Sequence, residues 1–373
     1  MTPAPLRILQ VNSLFTGGGV DNQTLNLSVG LQELGQDVTL AVPAGSRYEP
    51  AARAAGLRVE TFPARSFLKN ALLRRCIQLI RRQRIQILHV HQGRDYWPAI
   101  IAARLAGVGT HVVVTRHLMT APRKMSRHFL LRFATVIAVS RAVENVLRAH
   151  LCGPAGGIHQ VYCGVDFARF FTARTPAVWQ FRERMGWPAD AVVCAVIGTF
   201  HPPLGKGQRE FLEAAARLKD EFPRARFALI GHGSMEALLR ERIAALGLGA
   251  VAALHPFQEE MPLCMNAIDV LAHPTCKGEA FGLVTVEALA AGRAVVASRK
   301  DGLAECFTDG EHGLFVPPGD ITALTAALRT FLSDAGLRQR LGAAGSAHVR
   351  ARFSREELAR RTRELYLRLN PRS

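Results

Sequence analysis

The chain lacks long apolar runs: none reaches the roughly 18 residues that a bilayer-spanning helix needs, so no transmembrane segment is expected. Residues 1–10 hold one Arg and no apolar h-region, so no secretory signal is expected either. No two of the seven cysteines (76, 152, 163, 194, 264, 276 and 306) form a Cys-x-x-Cys pair. That scatter argues against a zinc site or a disulfide framework and fits reduced thiols in a cytosol. Repeats, low-complexity tracts and Gly/Ser tethers are missing too. Aromatics are sparse at 7%, but 49% hydrophobic and 21% charged residues exclude wholesale disorder. At about 150 residues per domain, 373 residues imply two domains with a core each.

Acid is scarce, and unevenly so. Against 47 Lys+Arg stand 30 Asp+Glu, a net charge of +17. Residues 1–165 hold 20 basic and 7 acidic residues, whereas 166–373 hold 27 and 23. Between Glu60 and Asp95 no acid occurs, while Arg65, Lys69, Arg74, Arg75, Arg81, Arg82, Arg84 and Arg94 do. Such a field concentrates anionic partners: a membrane surface, nucleic acid or a phosphorylated substrate. Residues 65–84 interleave their cations with Phe67, Leu68, Ala71, Leu72, Ile77, Leu79 and Ile80. That pattern suits an interfacial helix on anionic lipid, and equally the solvated face of a core helix. Arg123, Lys124, Arg127 and Arg132 add a second basic helix. Aromatics for base stacking are not interleaved with these cations and no groove-reading motif occurs, so nucleic acid is not the expected partner.

Short apolar strands alternate with amphipathic stretches throughout, the pattern of parallel α/β architecture. Strands read at 7–11, 38–42, 87–90, 111–115 and 135–139, then at 192–197, 226–230, 270–272 and 294–297. Residues 22–34 keep Leu25, Leu27 and Leu31 at helical spacing before Gly35. The irregular stretch 164–188, with Pro176 and Pro188, reads as a linker. The expectation is two Rossmann-like, doubly wound domains, 1–168 and 169–373, with a C-terminal helix near 354–373 packing back on the first. Ligands then sit at the carboxyl ends of the strands, facing across a cleft.

Gly17-Gly18-Gly19 follows the first strand and precedes a helix, where the backbone can approach a phosphate or sugar. The spacing is not Gly-x-Gly-x-x-Gly, so no dinucleotide fingerprint is met, and a plain tight turn reads equally well. Glu279 and Glu287 are separated by seven residues, the first in a loop and the second about two turns into a helix. Phe281, Gly282 and Leu283 open that helix, and their N–H groups are free to hold a diphosphate. A carboxylate on the helix suits two ribose hydroxyls.

Glu279-x7-Glu287, followed by Asp301-Gly302-Leu303-Ala304-Glu305 and by the run from Asp309 to Asp320, resembles the GT-B glycosyltransferases of family 4. Ala138-Val139-Ser140 and Tyr162-Cys163-Gly164-Val165-Asp166 look like the segment closing the family's first domain, with Cys163 where an Asn is usual. Gly205-Lys206-Gly207 resembles the Lys-Gly before the first donor-domain helix, and Ile230-Gly231-His232-Gly233 the Gly-x-Gly turn. The resemblance implies a GT-B fold and transfer of a sugar, with retention, from a nucleotide-sugar donor, expected to be UDP-linked, to a glycan or glycolipid acceptor. Envelope glycan synthesis of the lipopolysaccharide kind, peripheral on the cytoplasmic face of the membrane, is the matching setting. No cofactor is implied beyond the donor as substrate.

By the same resemblance Glu287 holds the ribose, Glu279 the donor sugar, and the N–H groups of Gly282 and Leu283 the phosphates, with Phe281, Gly18, Gly19, Gly231 and Gly233 around the donor. Lys206 neutralises the departing diphosphate. The chain has no Asp-x-Asp to hang a divalent metal on that diphosphate, so the reaction is expected to be metal-independent. Thr199 stands where the family has a second diphosphate cation, leaving His201 or Arg209 to supply one. His117 matches the active-site histidine and joins Lys206 and Glu279 as the catalytic set. His91, Arg94 and Arg116 are expected on the acceptor side, His89 is expected to be structural, and Asp95 is read as a helix cap above Trp97. The alternatives are a sugar-nucleotide 2-epimerase on the same fold and a non-enzymatic nucleic-acid-binding protein.

Overall fold

A computed structural model describes residues 4–14, 18–63, 69–171, 175–202 and 205–370. Gly17, Arg65, Phe67 and Leu68, and the side chains of Lys69 and Ala71, lie outside the described residues. The chain divides into two compact units, Met1–Gly164 with Ser354–Ser373, and Val165–Phe353.

The first unit runs β1 (Arg7–Val11), α1 (Gly19–Glu33), β2 (Asp37–Pro43), α2 (Glu49–Ala54), β3 (Arg58–Phe62), α3 (Lys69–Gln83), β4 (Ile87–Val90), α4 (Tyr96–Ala106), β5 (His111–Arg116), α5 (Lys124–Phe133), β6 (Thr135–Ala138), α6 (Arg141–His150) and β7 (Ile158–Gln160). Its strands form one parallel sheet in the order β3-β2-β1-β4-β5-β6-β7. Central strands such as β1 and β4 bury both faces, which is why they read as unbroken apolar runs. Strand order reverses between β1 and β4, and a crevice for ligands opens at such a switch point.

The basic helix α3 is an ordinary core helix. Leu72, Cys76, Leu79 and Ile80 are buried, so its apolar side faces the sheet and not a membrane. Arg75 and Arg82 both pair with Glu60 on β3, and Arg81 donates to the Leu105 carbonyl (2.7 Å) at the end of α4.

The second unit runs α7 (Phe167–Phe170), α8 (Pro176–Arg184), β8 (Val192–Ile197), α9 (Gln208–Leu218), β9 (Ala225–Ile230), α10 (Glu236–Ala245), β10 (Ala252–His255), α11 (Met261–Ala267), β11 (Val270–His273), α12 (Leu283–Ala290), β12 (Ala294–Ser298), β13 (Leu314–Val316), α13 (Ile321–Ser333) and α14 (Ala335–Arg352). The sheet order is β10-β9-β8-β11-β12-β13, again parallel and again reversing once, at β8/β11. The stretch read as a linker is not one. Val178 and Phe181 of α8 are buried, and the buried Arg182 guanidinium donates to the carbonyls of Ala267, Pro188 and Ala191. The division falls at Gly164, four residues before the expected 168, because Val165 N donates to Phe353 O (2.8 Å) inside the second unit.

The chain then returns to the first unit as α15 (Arg355–Leu369), capped by the Ser354 hydroxyl accepting from Glu357 N (3.3 Å). Leu358, Ala359, Leu365 and Tyr366 complete a core with Leu27 and Leu31 of α1.

Candidate active site

In the second unit, the loops leaving β8 and β11 at the switch point bring titratable side chains together. Lys206 Nζ pairs with Glu279 Oε2, and His273 Nε2 lies 3.4 Å from the same oxygen. His273 Nδ1 is 3.0 Å from Thr285 Oγ1. Burial opposes the charge on Glu279, but His273 and Lys206 prevail and hold its carboxyl down to about 2. Burial lowers His273 below its ordinary value. Gly302 N donates to Glu279 O (3.0 Å) and so fixes the loop from behind.

Gly282, at φ 101, is the residue preceding α12, and a Cβ there would lie 2.5 Å from Leu303 Cδ1. Only glycine lets the loop turn so that the N–H groups of Gly282 and Leu283 precede the helical ladder. Phe281 is buried edge-on against Phe353 (5.4 Å), and its carbonyl accepts from Cys306 Sγ (2.9 Å), so the residue anchors the loop. Glu287 is the fifth residue of α12, one turn into the helix where two were expected, because the helix starts at Leu283. Burial pushes its carboxyl up to about 8, with Arg169 opposing in part. Gly231 and Gly233 both sit at φ 155, and a Cβ on either would strike the carbonyl of Gly198 or Phe200. They press the loop after β9 onto the loop after β8.

Thr199 is exposed and brings no charge, and His201 and Arg209 are exposed as well. Two residues that sequence reasoning missed organise this loop. Gln208 Oε1 accepts from Lys206 N (2.6 Å), while Lys277 Nζ donates to the carbonyls of His201 (3.3 Å) and Pro202 (3.2 Å). His273 was missed too, although its position at the carboxyl end of a central strand was the available signal.

In the first unit, Gly18 and Gly19 lie exposed at the start of α1. Arg94 donates to Ser13 Oγ and Ser13 O (2.7 Å each), and Arg116 to Thr120 O (2.6 Å) and Oγ1 (2.9 Å). Asp95 does not cap α4 with its side chain as expected. Its buried carboxylate accepts from Ser13 N (3.1 Å) across the switch point. Trp97 packs edge-on to Phe133 (6.3 Å) and donates to Ser126 Oγ (3.2 Å). The histidines come together: ring centres of His89 and His91 are 4.2 Å apart, and those of His91 and His117 are 6.0 Å apart. They line a small recess with Thr115, Tyr162 and Cys163. Burial lowers His89 to about 3 and His117 to about 4, and takes His91 well below its ordinary value, so all three are neutral at pH 7. Among the described residues no group of three His, Cys, Asp or Glu could hold a metal ion.

Two family models match the chain: "Glycosyltransferase Family 4" over residues 17–169 and "Glycosyl transferases group 1" over 178–348. The chain is 28% identical over 343 residues to the phosphatidyl-myo-inositol mannosyltransferase of Mycolicibacterium smegmatis, covering 89% of this chain and 86% of that one. It is 33% identical over 217 residues to the D-inositol 3-phosphate glycosyltransferase of Streptomyces bingchenggensis, spanning 55% of this chain and 46% of that one. In fold it is similar to a glycosyltransferase from Rickettsia africae (TM-score 0.85, 20% identity, 99% and 100% of the two chains). It is similar also to Anabaena HepE in complex with UDP and glucose (TM-score 0.81, 22% identity, 96% and 99%). The switch-point loops, the Glu-x7-Glu helix and these matches lead to one conclusion: the chain belongs to glycosyltransferase family 4, an enzyme of GT-B fold that transfers sugar.

Proposed function

We propose that the enzyme moves a sugar, with retention, from a UDP-linked donor held by the second unit to a hydroxyl of a glycan or glycolipid acceptor held by the first, in building a bacterial envelope glycan. The observation that carries this reading is the Lys206–Glu279–His273 cluster beside the opening of α12. A diphosphate brought to the N–H groups of Gly282 and Leu283 competes with Glu279 for Lys206, and the freed carboxylate is left to face the donor sugar. As charge develops on the leaving group, Lys206 stabilises it, and Lys277 supplies the second cation that Thr199 does not. His117, neutral, offers a hydrogen bond to a sugar hydroxyl. The named relatives include a transferase to phosphatidylinositol and one to an inositol phosphate, and solved neighbours hold UDP and UDP-glucose.

A panel of UDP-, GDP- and ADP-sugars tests the donor: UDP-sugars should raise the melting temperature, as any ligand that binds only the folded state does. No shift with any of them would sink the reading. Turnover should survive EDTA, since cations and helix N–H groups take the part of a metal; loss on chelation restored by magnesium or manganese would overturn that.

Membrane attachment is better supported at α4 and α5 than at α3. Ile101, Leu105, Met125 and Phe129 are large exposed apolar side chains there. Trp97 and Arg104 of α4 meet Phe133 of α5, the guanidinium 4.4 Å from the ring centre, so the two helices share one surface. No acid lies between Asp95 and Glu144, so the charges carried by α4 and α5 themselves are all cations. Among the described residues no helix is long and apolar enough to cross a membrane. Changing those four apolar residues to Ser should weaken co-sedimentation with anionic vesicles about tenfold or more. Changing Arg74, Arg75, Arg81 and Arg82 to Ser should have the smaller effect, and the reverse ranking would return the anchor to α3.

A further inference from the structure

Behind the opening of α12 lies the short 3₁₀ turn Asp301–Glu305, and it holds the loop from Glu279 to Gly282 at three points. Gly302 N donates to Glu279 O (3.0 Å), and Gly302 is so close that a Cβ there would lie 2.1 Å from Ala280 O. Leu303 packs where a Cβ on Gly282 would stand. Cys306, the residue that follows the turn, donates from Sγ to Phe281 O (2.9 Å), while the carbonyls of Gly302 (3.7 Å) and Gly282 (4.0 Å) lie farther off. Cys306 and Phe281 are both buried, and so is the bond between them.

The third contact differs from the other two in what it fixes. The Phe281 carbonyl and the Gly282 N–H belong to one planar trans peptide and point to opposite sides of it. A carbonyl drawn back to Cys306 therefore points the Gly282 N–H away from Cys306, and that N–H meets no acceptor among the described residues. Residue 282 does not enforce this orientation by itself. Glycine takes φ of either sign about as readily, so the plane ahead of Gly282, now at φ 101, can turn over at little intrinsic cost. The carbonyl oxygen would then stand where the N–H had been. An oxygen in that place repels a phosphate that an N–H attracts.

We infer that Cys306 is a positioning residue for the donor diphosphate: its thiol ties down the Phe281–Gly282 peptide plane so that the Gly282 N–H, and not the Phe281 carbonyl, faces the phosphates. The inference deepens the reading in which the opening of α12 holds the diphosphate, and it rests on that reading. Cysteine suits the place, being a small hydrophobe that still carries a weak S–H donor. Alanine or valine would occupy the same apolar surroundings and donate nothing.

Phe281–Gly282 is the one Phe-Gly step in the sequence. Carbonyl-carbon-13 phenylalanine combined with nitrogen-15 glycine therefore marks this single peptide plane in the NMR spectrum of the full-length enzyme. Cys306→Ser keeps a donor, whereas Cys306→Ala and Cys306→Val remove it with opposite changes in volume, so a folded comparator remains if a melting scan shows that one of the pair has failed. In the free enzyme the marked peak should hold its place in Cys306→Ser and shift or broaden in the other two, as the plane samples both orientations. UDP and inorganic pyrophosphate should move the wild-type peak, and uridine should leave it unmoved. Affinity for UDP and pyrophosphate should fall about tenfold in Cys306→Ala and Cys306→Val, the loss of one hydrogen bond to a charged group, and little in Cys306→Ser. A free-enzyme peak identical in wild type, Cys306→Ala and Cys306→Val would overturn the inference whatever the ligands do. So would a ranking by volume, with Cys306→Val keeping its diphosphate affinity and Cys306→Ser losing it. A wild-type peak that answers neither UDP nor pyrophosphate, or that answers uridine equally, would bring down the reading of the α12 opening and the inference with it. The free-enzyme peak tests the clamp without any ligand, so the two failures are separable.

Discussion

Lys206→Ala should lower kcat/KM for the nucleotide-sugar donor by about 10- to 100-fold with the melting temperature little changed. The side chain makes one charge-assisted contact, to Glu279, and is nearly a third exposed, so the fold does not lean on it. A charge-assisted hydrogen bond to a diphosphate contributes roughly 1.5–3 kcal/mol, and more of it is realised as the leaving group gains charge. The loss should therefore fall on kcat as well as on KM. Removing the cation also leaves His273 alone to keep Glu279 ionised against burial. The carboxyl, held down to about 2 in the intact protein, then moves up, and the acid limb of the pH–rate profile moves up with it. Lys206→Arg keeps the charge and should retain most of both. Unchanged kcat/KM in Lys206→Ala would remove this residue from the site.

Donor binding should release a proton near neutral pH, and its affinity should rise about tenfold per pH unit as pH climbs toward 8. The source is Glu287. Burial raises its carboxyl to about 8, so the free enzyme carries it protonated at pH 7. Two ribose hydroxyls donating to the carboxylate favour the ionised form, so binding below pH 8 must expel the proton. Calorimetry of UDP binding in buffers of different ionisation heat measures that proton directly. Glu287→Gln should abolish the release, flatten the pH dependence and weaken binding tenfold or more; equal proton release in wild type and variant would clear Glu287 of the role. The same shift has a consequence for stability. The folded pKa lies above the unfolded value of about 4.5, so this group's contribution is complete below that value and is lost as pH rises through about 8. Glu287→Gln should remove that alkaline decline.

The strands that sequence patterning found and those it missed divide by position in the sheet. β1, β2, β4, β5 and β6 of the first unit and β8, β9, β11 and β12 of the second stand out as apolar runs because they have neighbours on both sides. The four unread strands, β3, β7, β10 and β13, are the two edges of each sheet. Arg-Val-Glu-Thr-Phe in β3 and Ala-Ala-Leu-His in β10 bury only some of their residues, so no long apolar run marks them. At the candidate site, Glu279, Glu287, Lys206 and the turn glycines were named from the motifs that resemble the family's, and of these Lys206 and Glu279 do meet. Asp95 was misread because its partner, Ser13, is 82 residues away across the switch point. The hydrogen bond from Gln10 to Tyr366 was invisible for the same reason, its partners 356 residues apart and side by side only in the fold. The cations of 65–84 stand out in the sequence, but no spacing rule could show that Glu60 takes up Arg75 and Arg82.

The return of α15 to the first unit sets an order of assembly. During synthesis the first 164 residues leave the ribosome without Leu358, Ala359, Leu365 and Tyr366, which their core requires. All of the second unit, up to Phe353, is made before that gap can be filled. The usual N-terminal-first sequence of domain maturation is thus reversed: the second unit can close while the first waits for α15. A nonsense codon near residue 354 would leave the donor half folded and open the acceptor half, and a nascent chain stalled late would expose the Leu27–Leu31 face of α1 to chaperones. The histidine recess of the first unit can take shape only after α15 has been made.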